Sequence, residues 1–364
     1  MGDSSIVVDD AFVTIARYGL EGGDRSGLPT SPLRDEAFSD FAQAAFHRKL
    51  SGLLLDAIED GSFAATEEQA DLSAAFAATW YQQTRRVNTA MAEALGVLAV
   101  AGIDHRVVKG AATAELVYGD ALRRPYVDVD VAVPTAAFAR AMVALEDAGW
   151  HRREPNHRRG FVQRFAQAVT LNKHEVELDL HRMLVHPPAG DRLRPDAAFD
   201  LPAQIIHVDG VAVPVLGAAD ALVHAAAHAA FDHADATPLL AAHDVVGCAQ
   251  ITSDLDRRAR SAAWGLEAIV DRGVVAAQVL LGLVPPQRAA PLPPDQQRLV
   301  DLSMRDPRLA RLQTLPSWSD RARYVTGIAL PCRAYLDYVG QTRTSRLAAI
   351  ARATLRAGHT RFSE

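Results

Sequence analysis

Only two cysteines, Cys248 and Cys332, occur in the 364 residues, too few for a disulfide framework and without partners at metal-ligand spacing. A reducing cytoplasm and a small-residue packing role for both thiols are the expectations. Lysine is almost as scarce: apart from Lys49, Lys109 and Lys173, the cationic side chains are arginines. Against that arginine- and alanine-rich bias, which points to a GC-rich bacterial genome, a lysine directly before a glycine at Lys109-Gly110 stands out. No apolar run approaches the roughly 18 residues that a membrane-spanning helix needs; Val274 to Val284 is the longest. The start, Met1-Gly2-Asp3-Ser4 followed by Asp9-Asp10, lacks the cationic and apolar segments of a secretory leader. A formal net charge of -6 and a pI of about 6.1 argue against a general electrostatic grip on nucleic acid, which needs clustered positive charge. The basic stretch His151-Arg152-Arg153 through His157-Arg158-Arg159 is local and reads as a solvated connection.

At 49% hydrophobic and 23% charged, the chain can bury a sizeable core, and its length calls for two or three domains. Residues 1–33 alternate short apolar runs with Gly and Pro, suggesting a short element and a loop. Apolar residues then recur at three- and four-residue spacing over Asp35 to Asp60 and Glu67 to Ala101, which predicts helices, with Gly102 as a stop. The pattern changes to strand (His105 to Val108), short helix (Ala111 to Tyr118), strand (Tyr126 to Val133) and helix (Pro134 to Ala148). Extended segments are expected at Phe161 to Phe165, Ala168 to Leu171 and Glu175 to His181, with a turn at Asn172-Lys173. Asp209-Gly210 between two β-like runs is a type I′ hairpin signal. Beyond Gly217 helical spacing returns, near Ala219 to Ala230, Leu239 to Gln250, Leu266 to Leu283, Arg321 to Val339 and Thr344 to Ala357. The expected division is a helical region over 1–101, an α/β core over 102–216 and a helical domain over 217–364.

The chemistry is concentrated in Tyr126-Val127-Asp128-Val129-Asp130-Val131. Strand side chains alternate, so Asp128 and Asp130 share one face ~7 Å apart while Val127, Val129 and Val131 point into a core. Two carboxylates on such a strand are costly unless a cation sits between them, and a hard divalent ion with oxygen ligands is the natural candidate. In Glu175 to His181 the same alternation places Glu175, Glu177 and Asp179 on one face. Two aspartates, a third carboxylate on a nearby strand and a glycine turn opening a helix upstream are the parts of a two-metal nucleotidyl-transfer site. The turn offers backbone N–H groups to phosphates, and Lys109 adds charge.

These residues resemble the polymerase-β-like nucleotidyltransferase superfamily, whose signature is a glycine-containing turn followed by an Asp-x-Asp strand. The sequence is more closely similar to the bacterial group of uncharacterised nucleotidyltransferases, in its Lys109-Gly110 turn, Arg124-Pro125, Asp128-Val129-Asp130 and the strand ending Asp179-Leu180-His181. The likeness covers Val107 to His181, and more loosely Asp220 to Asp244. It implies an α+β fold, a minimal mixed sheet with flanking helices. It implies Asp128, Asp130 and Asp179 as metal ligands and catalytic acids, with Lys109, Gly110, Arg124, Glu177 and His181 at the nucleotide. Glu177 and Asp179 lie on one face and compete for the ligand role. The cofactor implied is Mg²⁺, two ions, with an NTP as substrate and a small-molecule or peptide acceptor, and the group's association with natural-product pathways carries over as an expectation. One departure is Ala111-Ala112-Thr113 after the glycine, where the superfamily has a serine.

Two alternatives remain open in the sequence. His224, His228, His233 and the dipeptide His243-Asp244 are the raw material of an HD-type metal-dependent phosphohydrolase, although their alanine-rich setting favours packed histidines. The missing serine allows a catalytically silent nucleotide-binding scaffold.

Overall fold

The structure is a computed structural model and describes residues 3–187, 189–194, 196–232, 237–287, 290–304 and 307–348. Seven strands, β1 (Arg106–Val107), β2 (Asp128–Ala132), β3 (His151–Arg152), β4 (Ala168–Lys173), β5 (Val176–His181), β6 (Gln204–Val208) and β7 (Val211–Val215), form one sheet in the order β3-β4-β5-β2-β1-β7-β6. The pairs β2–β5 and β1–β7 are parallel and the remaining neighbours antiparallel, so the sheet is mixed and the protein is α+β. Among the described residues no helix is long and apolar enough to cross a membrane.

The alternation along β2 and β5 decides what the sheet buries. Val129 and Val131 on β2, and Val176, Leu178 and Leu180 on β5, are all almost fully buried, while the acids between them face the other side. The helix Glu67–Val100 covers the apolar face. It opens with a capping box between Thr66 and Gln69, and its second half buries Val87, Met91, Leu95 and Leu98 at three- and four-residue spacing. Asn88 of that helix donates to Asp209 at 2.8 Å and accepts from the Tyr126 hydroxyl, which ties the helix to both the β6–β7 turn and the lead into β2.

A second core joins the two ends of the chain. Phe12, Phe41, Leu53 and Leu54 from the N-terminal helices pack in one cluster with Leu222, Val245, Ile269 and Val270 from the C-terminal helices, and Val108, Tyr118 and Ala132 connect that cluster to the sheet. The sheet is thus clasped between its long helix and a helical body built from both flanks.

Several expectations need correction. Residues 1–33 hold a helix, Asp3–Ala16, longer than the short element expected. Val127 precedes β2 and is 36% exposed, so it is not part of the core. Phe161–Phe165 is a helical turn, not an extended segment: five residues are too few to display a period. The turn between β4 and β5 falls at His174 and Glu175, both at positive φ, one step past Asn172-Lys173. Helix 134–148 begins only at Phe138, and the single helix expected over Arg321 to Val339 is split by Pro331 into Trp318–Ala329 and Arg333–Tyr338. Cys332 is exposed where a buried thiol was expected, whereas Cys248 is buried. Helices Asp254–Trp264, Pro294–Ser303 and Pro307–Thr314 were not anticipated: polar and charged residues dominate them, and their apolar positions are few. Of the helix expected at Thr344 to Ala357, residues 344–348 are helical and the rest lies outside the described residues. The Asp209-Gly210 turn has the left-handed φ values of 49° and 79° that a type I′ hairpin demands.

Gly52 marks where the N-terminal helices meet the loop ahead of β2. A Cβ there would stand 2.0 Å from the Leu122 carbonyl oxygen and 2.7 Å from the Arg123 Cα, both backbone atoms without room to yield. Gly52→Ala is expected to destabilise the protein by about 1–3 kcal/mol, the cost of overpacking a fixed backbone, read as a lower urea midpoint at unchanged m-value.

Candidate active site

Parallel register places the acids. Asp128 lies beside Glu177, Asp130 beside Asp179 and Ala132 beside His181, so Asp128, Asp130, Glu177, Asp179 and His181 share the sheet face opposite the long helix. Asp130 is 6% exposed; its Oδ1 is bonded to His181 Nε2 at 2.7 Å and lies 3.5 Å from Lys109 Nζ. On the other side of β5, Thr170 of β4 donates to Asp179 Oδ1 at 2.6 Å. One oxygen each of Asp130 and Asp179 and one ring nitrogen of His181 lie within 4.8 Å of one another, the one such group of three His, Cys, Asp or Glu side chains among the described residues.

The electrostatics of the two β2 acids diverge. Burial pushes the Asp128 carboxyl up, and the charges of Asp130 and Asp179 push it further, against partial relief from Lys49 and Lys109. Burial acts the same way on Asp130, but the His181 hydrogen bond and the Lys109 charge outweigh it and hold that carboxyl far below the usual range. Two carboxylates, Asp130 and Asp179, therefore meet at His181, with Asp128 on the same face outside that group of three and Lys109 as the ammonium in contact with Asp130. That donor set fits a hard divalent cation, which takes one or two carboxylates and fills its remaining positions from water and phosphate; His181 Nδ1, buried without a partner, is a further unspent ring nitrogen at the same place.

Glu177 does not join this group. Its carboxylate is bound by Arg153 at 3.0 Å, and both side chains are about half exposed. Arg124, expected near phosphates, makes a paired contact with Asp244 of helix Leu239–Gln250, the closest approach being 2.6 Å, and Tyr118 donates to the same carboxylate at 2.8 Å. Gly110 opens the helical turn Gly110–Thr113 and packs on Tyr126. Ahead of it Lys109 adopts φ 53°, ψ −139°, unusual for a residue with a side chain, and is pinned by Thr113 N–H to its carbonyl at 2.9 Å and by Val108 N–H to Asp130 O at 3.0 Å.

Lys109 leads into a cavity of about 630 Å³ enclosed by all three parts of the chain, with Lys49, Arg124, Thr113, His224 and His228 among its walls. Lys49 was missed in the sequence reading, although it is one of only three lysines. It also stands at positive φ, and its ammonium lies 5.6 Å from the Trp80 ring centre. Burial lowers its proton affinity, and Arg124 adds to that, with Asp128 and Asp244 opposing. His224 is 3% exposed and its Nε2 has no hydrogen-bond partner.

Among the described residues the HD side chains form no metal site. His243 Nδ1 is hydrogen-bonded to the Ala16 carbonyl oxygen at 2.6 Å and its ring stacks on Tyr118, while Asp244 is spent on Arg124 and Tyr118. The rings of His224 and His228 are 6.4 Å apart and outside any group of three ligands among the described residues, and His233 lies outside those residues.

Two expectations follow. Asp244→Ala strands the Arg124 guanidinium, so it should cost about 3–5 kcal/mol in chemical denaturation, with the double variant Arg124→Met, Asp244→Leu recovering most of the loss. Burial pushes the His243 and His224 imidazoles below their ordinary 6.5. The unfolded chain then binds protons that the folded one refuses, so stability is fully present above the unfolded value and is lost as pH falls through it. Tm measured between about pH 7.5 and about pH 5 should fall, and fall less steeply in His243→Gln.

Comparison with curated protein sequences gives no match. Among solved structures, the solution structure of the antibiotic-resistance factor ANT(2'')-Ia is similar at 14% identity and a TM-score of 0.33, over 50% of this chain and 95% of that one. Residues 34–282, well over half of the chain, match the family described as uncharacterised nucleotidyltransferase, and the chain belongs to that family of enzymes.

Proposed function

We propose that the protein is a Mg²⁺-dependent nucleotidyltransferase that moves a nucleoside monophosphate from an NTP to a hydroxyl or phosphate of a small-molecule or peptide acceptor, releasing pyrophosphate. The observation that carries this is that Asp128, Asp130 and Asp179 share one face of two parallel strands, with Asp130 and Asp179 drawn together and Lys109 reaching from Asp130 to a cation-walled cavity. In this reading Asp128, Asp130 and Asp179 hold two Mg²⁺ ions, which when bound neutralise the triphosphate and polarise the attacked phosphorus. Lys109 and Lys49, both on the cavity wall, bind the triphosphate tail. The helical turn at Gly110 turns backbone N–H groups toward it, and Thr113, on the cavity wall, supplies a hydroxyl three residues after the glycine where the serine is missing.

Arg124 acts indirectly. Its contact with Asp244 fixes helix Leu239–Gln250 against the lead into β2, which holds the cavity to its width. His181 keeps Asp130 oriented and ionised, and Thr170 does the orienting for Asp179. Asp179 is then the acid best placed to receive the proton of an acceptor hydroxyl. Glu177, engaged by Arg153 at the rim, lies too far into solvent for a ligand role. The overall charge of -6 weighs against a nucleic-acid acceptor, and the small acceptors of natural-product or modified-peptide assembly suit the enclosed site better.

Incubation with α-labelled and γ-labelled ATP, GTP, CTP and UTP in the presence of Mg²⁺ tests the reading. Label is expected to leave the α position only and to fall at least ~100-fold in Asp128→Asn and in Asp130→Asn, since each removes charge from the site that holds the transferred group. Transfer from the γ position would make the enzyme a kinase. NTP binding without turnover would leave a silent scaffold.

A further inference from the structure

Group transfer needs two substrates to meet, and the basic cavity accounts for one. A row of side chains crosses the sheet from it: Lys109 after β1, Asp130 on β2, Asp179 on β5 and Thr170 on β4, each in register with or bonded to the next. Thr170 ends the row, and it lines a second cavity of about 310 Å³ on the far side of the acids from Lys109. The acids therefore stand between two recesses, the second lined by aromatic rings together with Arg152, Glu154 and Arg311.

The second cavity is walled by aromatic rings. His157 stacks on Phe161 with ring centres 4.7 Å apart, Phe161 on Tyr324 at 5.8 Å, and Phe165 meets Tyr324 edge to face at 5.4 Å. Gly327 makes this wall: a Cβ there would sit 2.2 Å from the Phe161 ring, so only glycine lets helix Trp318–Ala329 lie against it. Arg311 closes one side, 5.5 Å over Tyr324 and bonded to Asp191 at 3.1 Å through Nη2. It is 8% exposed, and its Nε–H is buried without a partner. A buried guanidinium donor left without a partner is costly unless a ligand oxygen meets it.

We infer that this cavity is the acceptor site and that it takes a compact hydroxylated aromatic acid, its ring among Phe161, Phe165 and Tyr324, its carboxylate at Arg311 and its hydroxyl turned toward Thr170 and Asp179. The inference rests on the nucleotidyl-transfer reading of the acid row. A volume of about 310 Å³ is at the small end for ligand pockets and suits a single-ring compound. In the reaction the acceptor oxygen forms a bond to the α-phosphorus. The bond from that phosphorus to the bridging oxygen breaks, its electron pair leaves with pyrophosphate, and the hydroxyl proton passes to Asp179. The wall built by Arg311, Tyr324 and Gly327 lies outside the stretch matched to the family, which fits a specificity element attached to a common core.

The test uses the full chain with 4-hydroxyphenylacetate, 4-hydroxyphenyllactate and tyrosine as probes, and with glycerol, glucose and kanamycin as ring-free or saturated-ring controls. Saturation-transfer NMR should show aromatic-acid binding to the wild type, with Kd raised at least ~10-fold in Arg311→Lys and in Val162→Trp, which fills the cavity from a half-buried wall position, while nucleotide Kd is unchanged. Label from the α position should appear on an aromatic acid and not on the controls. Failure of every aromatic acid to bind the wild type, or binding that Val162→Trp leaves intact, overturns the acceptor assignment. The donor reading fails separately, if Asp130→Asn retains release of pyrophosphate from NTP.

Discussion

The parallel pairing of β2 with β5 is the constraint from which the rest of the site follows. Side chains alternate along a strand, so two strands in parallel register bring matching alternations together, and Asp128, Asp130, Asp179 and His181 are gathered on one face without any loop having to place them. The same register commits Val129, Val131, Leu178 and Leu180 to the opposite face under the long helix. A slip of one residue in either strand would bury the acids and expose the valines. The acidic cluster and the hydrophobic core are therefore two faces of one choice of register. What makes the cluster tolerable is local: a histidine and a lysine on Asp130, and a threonine on Asp179.

The flanking helices solve a different problem, that of enclosing a charged group beside an exposed sheet face. They do so through a few polar contacts between segments remote in sequence. Arg124 and Asp244 are both almost fully buried and satisfy each other, with Tyr118 taking up a remaining lone pair of the carboxylate. Such a pair adds little net stability over an apolar equivalent, but each member is costly to bury without the other, so it specifies which surfaces meet. His243 performs a similar service for the first helix by donating from Nδ1 to the carbonyl of its last residue, Ala16.

Much of this was legible in the chain because it is written at short range. The Asp-x-Asp spacing, the alternation ending at His181, the Asp209-Gly210 turn and the limits of Leu239–Gln250 depend on neighbours two to four residues away, and the structure realises them. The membership of Asp130, Asp179 and His181 in one cluster was legible through the likeness to a family. The partner of Arg124 was not, since nothing near Arg124 announces Asp244. Lys49 was overlooked for the same reason, although the rarity of lysine was a usable signal. Short elements defeated the reading where they are too brief to show a period, as at Phe161–Phe165, and where one proline cuts a continuous apolar pattern, as at Pro331. Cys332 shows the weakness of composition alone: residue type suggested burial, and the break at Pro331 left it on the surface.

The helical body that clasps the sheet takes its core from both ends of the sequence, Phe12 and Leu53 packing in one cluster with Val245 and Ile269. A ribosome making this chain releases the sheet strands long before the helices that complete the clasp. Until Leu239–Gln250 emerges, the N-terminal helices lack half their packing surface, and Arg124 lacks its counter-ion. The nascent protein thus holds its acids beside a half-built helical body until that last packing surface is made.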